Sequence, residues 1–498
     1  MVKWTLFILY VIVTIYLAYL GKQKTKSLKS YAIGGGDMNP WVVAFALAAS
    51  MTSTATFIIN PGIVYAFGMS AIFGYGIAAG LGLFLGIVIL SKGFRKIGWS
   101  SGALTVPQWM GTRYNDRRFT LIFAVVNLLL IAMVVLIAYG SAVLIDYTLG
   151  ISDIFPRYHF EITLLFIILF VFTYISFGGT YAHAYTNTVQ GFLMLIVAIV
   201  LVVSGFHFFK DGLLASLAAE NPILTHAINP QSLFFRNFFE VFIANFLVGF
   251  ALTVQPHFII KSLYVKDDKD VNKYLTIAVI MGILFSLVLM VGLYARIQFG
   301  PQFLKNVDTV TSIYIVRTFS PFVGVIISIA ILAAAMSTLD GILVALSSII
   351  ANDFFLVIYE KRLAHYTPED RLNLALKIGR YSLIGLAIVS FALALGQHYY
   401  KQFSVAIFGQ TWIYALFNAT FIPLLFGMFV KRVNKWWILS ASAISILIHV
   451  VFRYAKLSIL TSADWINPGL TAAYGLIAGL VLMGIYYLVE YFKGETAS

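Results

Sequence analysis

Pro40-Trp41-Val42-Val43-Ala44-Phe45-Ala46-Leu47-Ala48-Ala49-Ser50-Met51-Thr52-Ser53-Thr54-Ala55-Thr56-Phe57-Ile58-Ile59-Asn60-Pro61-Gly62 runs on to Gly68 without a charged residue. The stretch exceeds the roughly 20 residues that cross a bilayer. Hydroxyls crowd positions 50–56, and Asn60-Pro61-Gly62 follows as a helix breaker. Proline removes a donor and clashes with the preceding turn. A backbone opened at membrane depth must be satisfied by protein, water or a bound ion. Two readings stand. One is a kinked helix whose Ser and Thr bond back to their own carbonyls. The other is a discontinuous helix lining an ion and substrate site, the device of secondary transporters.

The surrounding 498 residues are 61% apolar and 11% charged, against about 45–50% and about 25% for a soluble domain. This is the composition of an all-α polytopic membrane protein. There is no cysteine, which excludes disulfides, thiol chemistry and thiolate metal sites. The net charge of +13 does not indicate nucleic acid, because most of it falls in short loops on one side of the membrane. The first apolar run, 4–20, lacks a small-residue cleavage site and is followed by four lysines. It reads as a retained span rather than a signal peptide.

Thirteen spans are expected, at about 4–20, 40–67, 69–92, 120–149, 161–178, 184–206, 236–262, 274–297, 321–350, 381–396, 402–428, 436–453 and 470–490. With the N-terminus outside and the C-terminus inside, 23 of the 33 Lys and Arg fall on the inner side, as the positive-inside rule requires. Tyr366-Thr367-Pro368-Glu369-Asp370-Arg371 reads as the start of a short surface helix or as a solvated connector. No loop is long enough for a soluble domain, and no cluster of acid, base and nucleophile suggests an enzyme.

Charges within the spans are few. Asp146, Glu240 and Arg296 fall near outer ends, where water is expected, and Lys261 at an inner end, where it can snorkel. Asp340 falls well inside its span. An intramembrane acid is costly and marks a functional candidate; a structural hydrogen bond to a neighbouring helix is the other reading. On the same span, Ala334, Ser337, Thr338, Gly341, Ala345 and Ser348 are three or four residues apart, so they share one face. Such a face is a close-packing seam. The Ala334 carbonyl and the Ser337 and Thr338 hydroxyls also form a set of hard, uncharged oxygens suited to a small hard cation.

At this point the chain resembles the sodium:solute symporter family. Tyr31-Ala32-Ile33-Gly34-Gly35-Gly36 resembles the family's Tyr-Phe-Leu-Gly-Gly-Arg, and Gln255-Pro256-His257-Phe258-Ile259-Ile260-Lys261 its Gln-Pro-His followed by a basic residue. Residues 334–353 resemble its signature helix, with a Met-Ser-Thr core, a Ser-Ser pair and a closing Asp. The resemblance implies a leucine-transporter fold, with inverted five-helix repeats at 40–206 and 236–428. An extra N-terminal span and basic loop (1–39), an outer loop (207–235) and two peripheral spans (429–498) complete the chain. It also implies sodium at the carbonyls of Ala49, Thr52 and Ala334 and the hydroxyls of Ser337 and Thr338.

Asn187 stands where many members have an acid used for a second sodium, and Met51 where proline carriers have Asp. Their absence leads to an expectation of one sodium per turnover. Thr54, Thr56, Asn60, Tyr75, Asn245, Gln410 and Trp412 are candidates to line the substrate site, with ordinary interhelical packing as the alternative for each. No Arg or Lys is expected at midplane depth. The partner is therefore a small organic solute, an amino acid or monocarboxylate before a multiply charged anion, with a neutral polyol or sugar left open, carried by alternating access in the plasma membrane (the inner membrane of a prokaryote). Two rivals remain: proton coupling through Asp340 on the same fold, and a solute sensor, which would usually need a cytoplasmic output domain. The oligomeric state is left open, a monomer being sufficient.

Overall fold

The computed structural model describes residues 2–400, 405–460 and 466–495. Residues 402–404 of the expected span 402–428 therefore lie outside the described part, as do 496–498 of the C-terminal region. Among the described residues the chain is helical throughout, without strands. Ten helices are long and apolar enough to cross a membrane, or 12 when two bent pairs are each counted as one span.

The first bent pair is Pro40–Met51 with Ala55–Phe67, turned by 56°. The break falls at Thr52, which takes extended backbone angles, φ −116° and ψ 111°. It does not fall at Asn60-Pro61-Gly62, where the sequence put the breaker. Thr52 Oγ1 donates to the Ala48 carbonyl at 2.9 Å, the local competition that ends helices at Ser and Thr. Pro61 sits inside Ala55–Phe67, just after the wide π-helical turns Ala55–Ile59, in which the Asn60 N–H reaches the Ala55 carbonyl; such a turn absorbs a local interruption of the ladder without ending the helix. Gly62 serves close approach, since a Cβ there would overlap the Val307 carbonyl.

The second pair, Phe239–Leu252 with Pro256–Leu263, turns by 63°. Here Pro256 does set the break. Gln255 before it is extended at ψ 132°, as a residue preceding proline tends to be.

The expected spans 161–178 and 184–206 form one run, His159–Val203, interrupted at Gly179 by φ 50° and ψ −138°. Phe166 packs on Phe7, Gly178 lies against Ala18 and Lys22, and Gln190 bonds back to Tyr10. Moving from residue 166 to 178 the chain advances along Val2–Lys24, and by 190 it has come back, so it reverses at Gly179. A side chain at Gly179 would strike Tyr31, and its positive φ favours glycine.

Other corrections are local. The segment 366–371 is no separate surface helix. Pro368 opens the single helix Pro368–Tyr400, and the Asp370 N–H donates to Thr367 Oγ1 at 3.1 Å. The segment 207–235, expected as an outer loop, holds the short helices His207–Lys210 and Leu213–Glu220. The span-end charges expected to meet water are paired instead. Arg236 clamps the fully buried Glu240 at 2.5 Å. Arg296 meets Glu220 at 2.7 Å, and Asp146 meets His159 at 2.6 Å. An unpaired buried charge would be far costlier.

Pro321–Ile349 is the central helix, buried almost without interruption from Ile329 to Leu343. Lipid tails are as apolar as these side chains, so its association rests on close packing and hydrogen bonds. It packs against Pro40–Met51, Ile131–Leu149 and His159–Val203.

Candidate ion and substrate site

The break at Thr52 frees carbonyls from the helix ladder, and the central helix brings hydroxyls to them. Ser337 Oγ lies 2.9 Å from the Ala49 carbonyl and 2.8 Å from that of Ala334. Thr338 Oγ1 lies 3.2 Å from the Ser50 carbonyl, 3.4 Å from that of Thr52 and 3.3 Å from that of Ala334. All five expected residues, Ala49, Thr52, Ala334, Ser337 and Thr338, thus converge, at most 3% exposed. The Ser50 carbonyl belongs to the cluster too; the sequence did not single it out because nothing in it locates the break to the residue.

Each hydroxyl carries one proton, so two donors face four carbonyls. One of these, Ala49, also accepts the Thr52 N–H at 3.2 Å. Buried carbonyls demand partners, and a surplus of hard neutral acceptors is the chemistry that fits a small hard cation. Among the described residues no group of His and acids is arranged to hold a transition metal.

Asn187 adjoins this cluster. Its Nδ2 donates to the Ser337 carbonyl at 3.2 Å and to Ser50 Oγ at 3.4 Å. Asp340 lies one turn further along the central helix. The Tyr174 hydroxyl donates to its Oδ1 and Thr186 Oγ1 to its Oδ2 at 3.2 Å. These two donors come from either side of the reversal at Gly179. The extra N-terminal helix reaches the same region, with Tyr10 OH 3.1 Å from Met336 Sδ.

Lys261 departs furthest from expectation. It does not snorkel; it is fully buried and donates to Ser50 Oγ at 3.2 Å and to the His257 carbonyl. It sits four residues past His257, so its stem lies along the same helical face and reaches the broken helix. His183 and His257 are also buried, and neither ring has a hydrogen-bond partner among the described residues. Both flank Gly341, where a Cβ would stand 3.1 Å from His183 Cε1. The i,i+4 spacing of His257 and Lys261 beside Pro256 was the available signal, passed over because a basic residue at a span end usually meets water.

The substrate candidates divide. Asn245 lies against Gly74, next to Tyr75, and its amide donates to the Glu240 carbonyl at 2.7 Å. Tyr75 packs on Phe235 at 5.1 Å. Thr54 Oγ1 is buried without a partner, beside the ion cluster on the broken helix. Among the described residues no side-chain hydrogen bond ties Thr56, Asn60, Gln410 or Trp412 to one another or to these. Gln410 and Trp412 lie on Val405–Phe429, a helix that also packs against Asn245–Leu252.

Residues 31–445 match the family model described as "Sodium:solute symporter family". A sodium/proline symporter of Staphylococcus aureus is 27% identical over 457 residues, spanning 89% of this chain and 84% of the relative. Among solved structures, a Na+-coupled sialic acid symporter in a substrate-bound outward-open state superposes with TM-score 0.78. It is 18% identical, with 97% of this chain and 96% of the other covered. A nucleobase-cation-symport-1 family transporter in a closed conformation, with bromovinylhydantoin bound, superposes at TM-score 0.55. Its identity is 16%, with 89% and 90% covered. At these identities the two structures speak to the fold.

Proposed function

The chain belongs to the sodium:solute symporter family, transporters for which sodium is the coupling ion, and on that premise we propose that it takes up a small amino acid by alternating access with one sodium per solute. The observation that carries this reading is the convergence of Ser337 and Thr338 on the carbonyls freed at Thr52. A cation held there joins the broken helix to the central one and favours one arrangement of the two. Proline is the first solute to test, because the curated relatives are sodium/proline symporters.

One sodium follows from the surroundings of Asn187. Its amide places a donor, and Lys261 an ammonium, on the same Ser50 hydroxyl. A like charge disfavours a further cation there. Sodium crossing 100 mV supplies about 2.3 kcal/mol, and a tenfold gradient about 1.4 kcal/mol. Together they sustain a solute gradient of several hundred-fold at one-to-one coupling.

The topology proposed has thirteen crossings. The run His159–Lys210 counts as two meeting at Gly179, added to the 12 otherwise reached. The N-terminus lies outside, supported by the cation bias. The two bent pairs open the proposed repeats 40–206 and 236–428 at matching positions. Five crossings separate them, so they point in opposite directions. The plasma membrane is the proposed location.

Proteoliposomes holding the purified chain test the proposal directly. Uptake of proline, other small amino acids, monocarboxylates and sialic acid is followed under an inward sodium gradient, then with choline and an inward proton gradient. Sodium-driven uptake of proline or another small amino acid is expected. Proton-driven uptake indifferent to sodium would overturn the reading, and a static-head slope of two sodium ions would reject the stoichiometry.

A further inference from the structure

We propose that the groove between the basic end of Gly80–Ser101 and the segment 266–272 is a binding site for the headgroup of an anionic phospholipid, with an acyl chain along the same helix. The groove encloses about 730 Å³ and is lined by Lys92, Lys96, Trp99, Lys266, Asp267 and Asp268, with Arg95 beneath. Nothing in the transport reading uses it.

Its charges divide into fixed and free. The Arg95 guanidinium is saturated: it donates to the carbonyls of Ser262 at 2.6 Å, Val265 at 2.9 Å and Lys266 at 2.7 Å, and to Asp268 at 2.8 Å. It also stacks 4.6 Å from the Trp99 ring centroid. Asp267 accepts the Asp270 N–H at 2.9 Å as a helix cap. Arg95 thus forms a fixed, buried floor, and Asp268, whose side chain is 91% exposed, neutralises it from the rim. Lys92, Lys96 and Lys266 are exposed and form no ion pair among the described residues. Against Asp267 they leave a positive surplus suited to a phosphodiester, and basic pockets between spans at a membrane face take such headgroups.

The helix itself favours a lipid over a soluble phosphate. Leu81, Leu85 and Ile89 are 53%, 48% and 42% exposed. They precede Lys92, Lys96 and Trp99 at steps of three or four, so all six share one face. Along that face run an apolar stripe, two cations and an interfacial tryptophan, in the order a phospholipid presents its tail and headgroup. The proposal needs only that the chain spans a membrane. That the lipid belongs to the inner leaflet rests on the orientation proposed above.

The test uses the full chain in neutral detergent, with thermal unfolding followed as dioctanoyl phosphatidylglycerol, dioctanoyl phosphatidylcholine or inorganic phosphate is titrated. Saturable stabilisation by phosphatidylglycerol alone is expected. Neutralising each groove lysine should weaken the midpoint about fivefold, and Lys92→Gln/Lys96→Gln/Lys266→Gln together about a hundredfold. The control Lys29→Gln/Lys361→Gln/Lys377→Gln, exposed lysines elsewhere, should leave the midpoint within about twofold of wild type, the size of a general surface-charge effect. Equal stabilisation by phosphatidylcholine, or equal loss in the two triple variants, would overturn the site. Inorganic phosphate matching the lipid would replace it with a soluble-anion site. If the triple variant does not fold, native mass spectrometry of the wild type and Lys96→Gln decides. Retained phosphatidylglycerol adducts, reduced in Lys96→Gln, support the site, and adducts equal to those of phosphatidylcholine refute it.

Discussion

Replacing Thr338 by Ala removes the one hydroxyl that faces the Ser50, Thr52 and Ala334 carbonyls at 3.2, 3.4 and 3.3 Å. In the sodium-free protein this hydroxyl serves as a neutral donor, worth about 0.5–1.5 kcal/mol. Toward a cation it acts as an oxygen donor to a full charge, worth about 1.5–3 kcal/mol. The sodium affinity should therefore fall by the difference, about 1–1.5 kcal/mol, or roughly tenfold. The assay is thermal unfolding of the purified protein in sodium against equimolar choline. At a sodium concentration 100 times the wild-type Kd, stabilisation is about 2.7 kcal/mol. A tenfold weaker site leaves about 1.4 kcal/mol by the same relation. Thr338→Ser keeps the hydroxyl and should stay close to wild type. A Thr338→Ala variant with an unchanged sodium midpoint would refute the assignment. So would a Thr338→Ser variant as impaired as the alanine one, since that would make the methyl, not the oxygen, the important group.

Lys261→Met keeps the buried stem and deletes the ammonium beside Ser50. A nearby like charge costs on the order of 2 kcal/mol at an effective permittivity of about 20, so the sodium midpoint should fall by up to about thirtyfold. An unchanged or higher midpoint in the same titration would show that the charge does not act on the ion. Asp340→Asn turns one acceptor of the Tyr174 and Thr186 hydroxyls into a donor. Unfolding stability should drop by about 1–3 kcal/mol while the sodium midpoint stays within about twofold; a large shift would mark Asp340 as a direct ion ligand. Gly62→Ala forces a methyl onto the Val307 backbone, with a cost of about 1–3 kcal/mol expected from overpacking. A melting temperature equal to wild type would mean that this outer contact yields easily.

What was legible in the sequence was whatever depends on residue type at fixed spacing. Ser337 and Thr338 share a face with Ala334 through helical periodicity alone, and the apolar runs placed the helices but not their polar ends: the helix expected at 381–396 is Pro368–Tyr400, and the one expected at 69–92 runs on to Ser101. The exact breaking point was not legible, because Pro61 is the louder signal. Pro61 is absorbed by the wide turns that precede it, whereas Thr52 ends its helix through one bond to Ala48 and two carbonyls turned toward another helix. That competition involves residues nearly 290 positions away, and no local rule contains it. The pairing of Tyr174 and Thr186 with Asp340 was hidden in the same way, since it requires the reversal at Gly179.

Lys261 shows how these limits bear on function. Its type and position suggested snorkelling; only the bend at Pro256 aims it at Ser50. The carbonyls of Ala49, Ser50 and Thr52 lie on one broken helix and the Lys261 amine on the other. A change in the angle between Pro40–Met51 and Pro256–Leu263 therefore alters the distance between a sodium at the proposed site and that amine. Moving Lys261 closer weakens sodium, and moving it away strengthens sodium. In the proposed transport cycle the two breaks would couple the ion's affinity to the relative position of the two halves. If Lys261→Met narrowed the difference in sodium affinity between the two sides of the membrane, measured as the ratio of half-saturating sodium in right-side-out and inside-out vesicles, the coupling would stand. A ratio unchanged from wild type would leave Lys261 a purely structural tether.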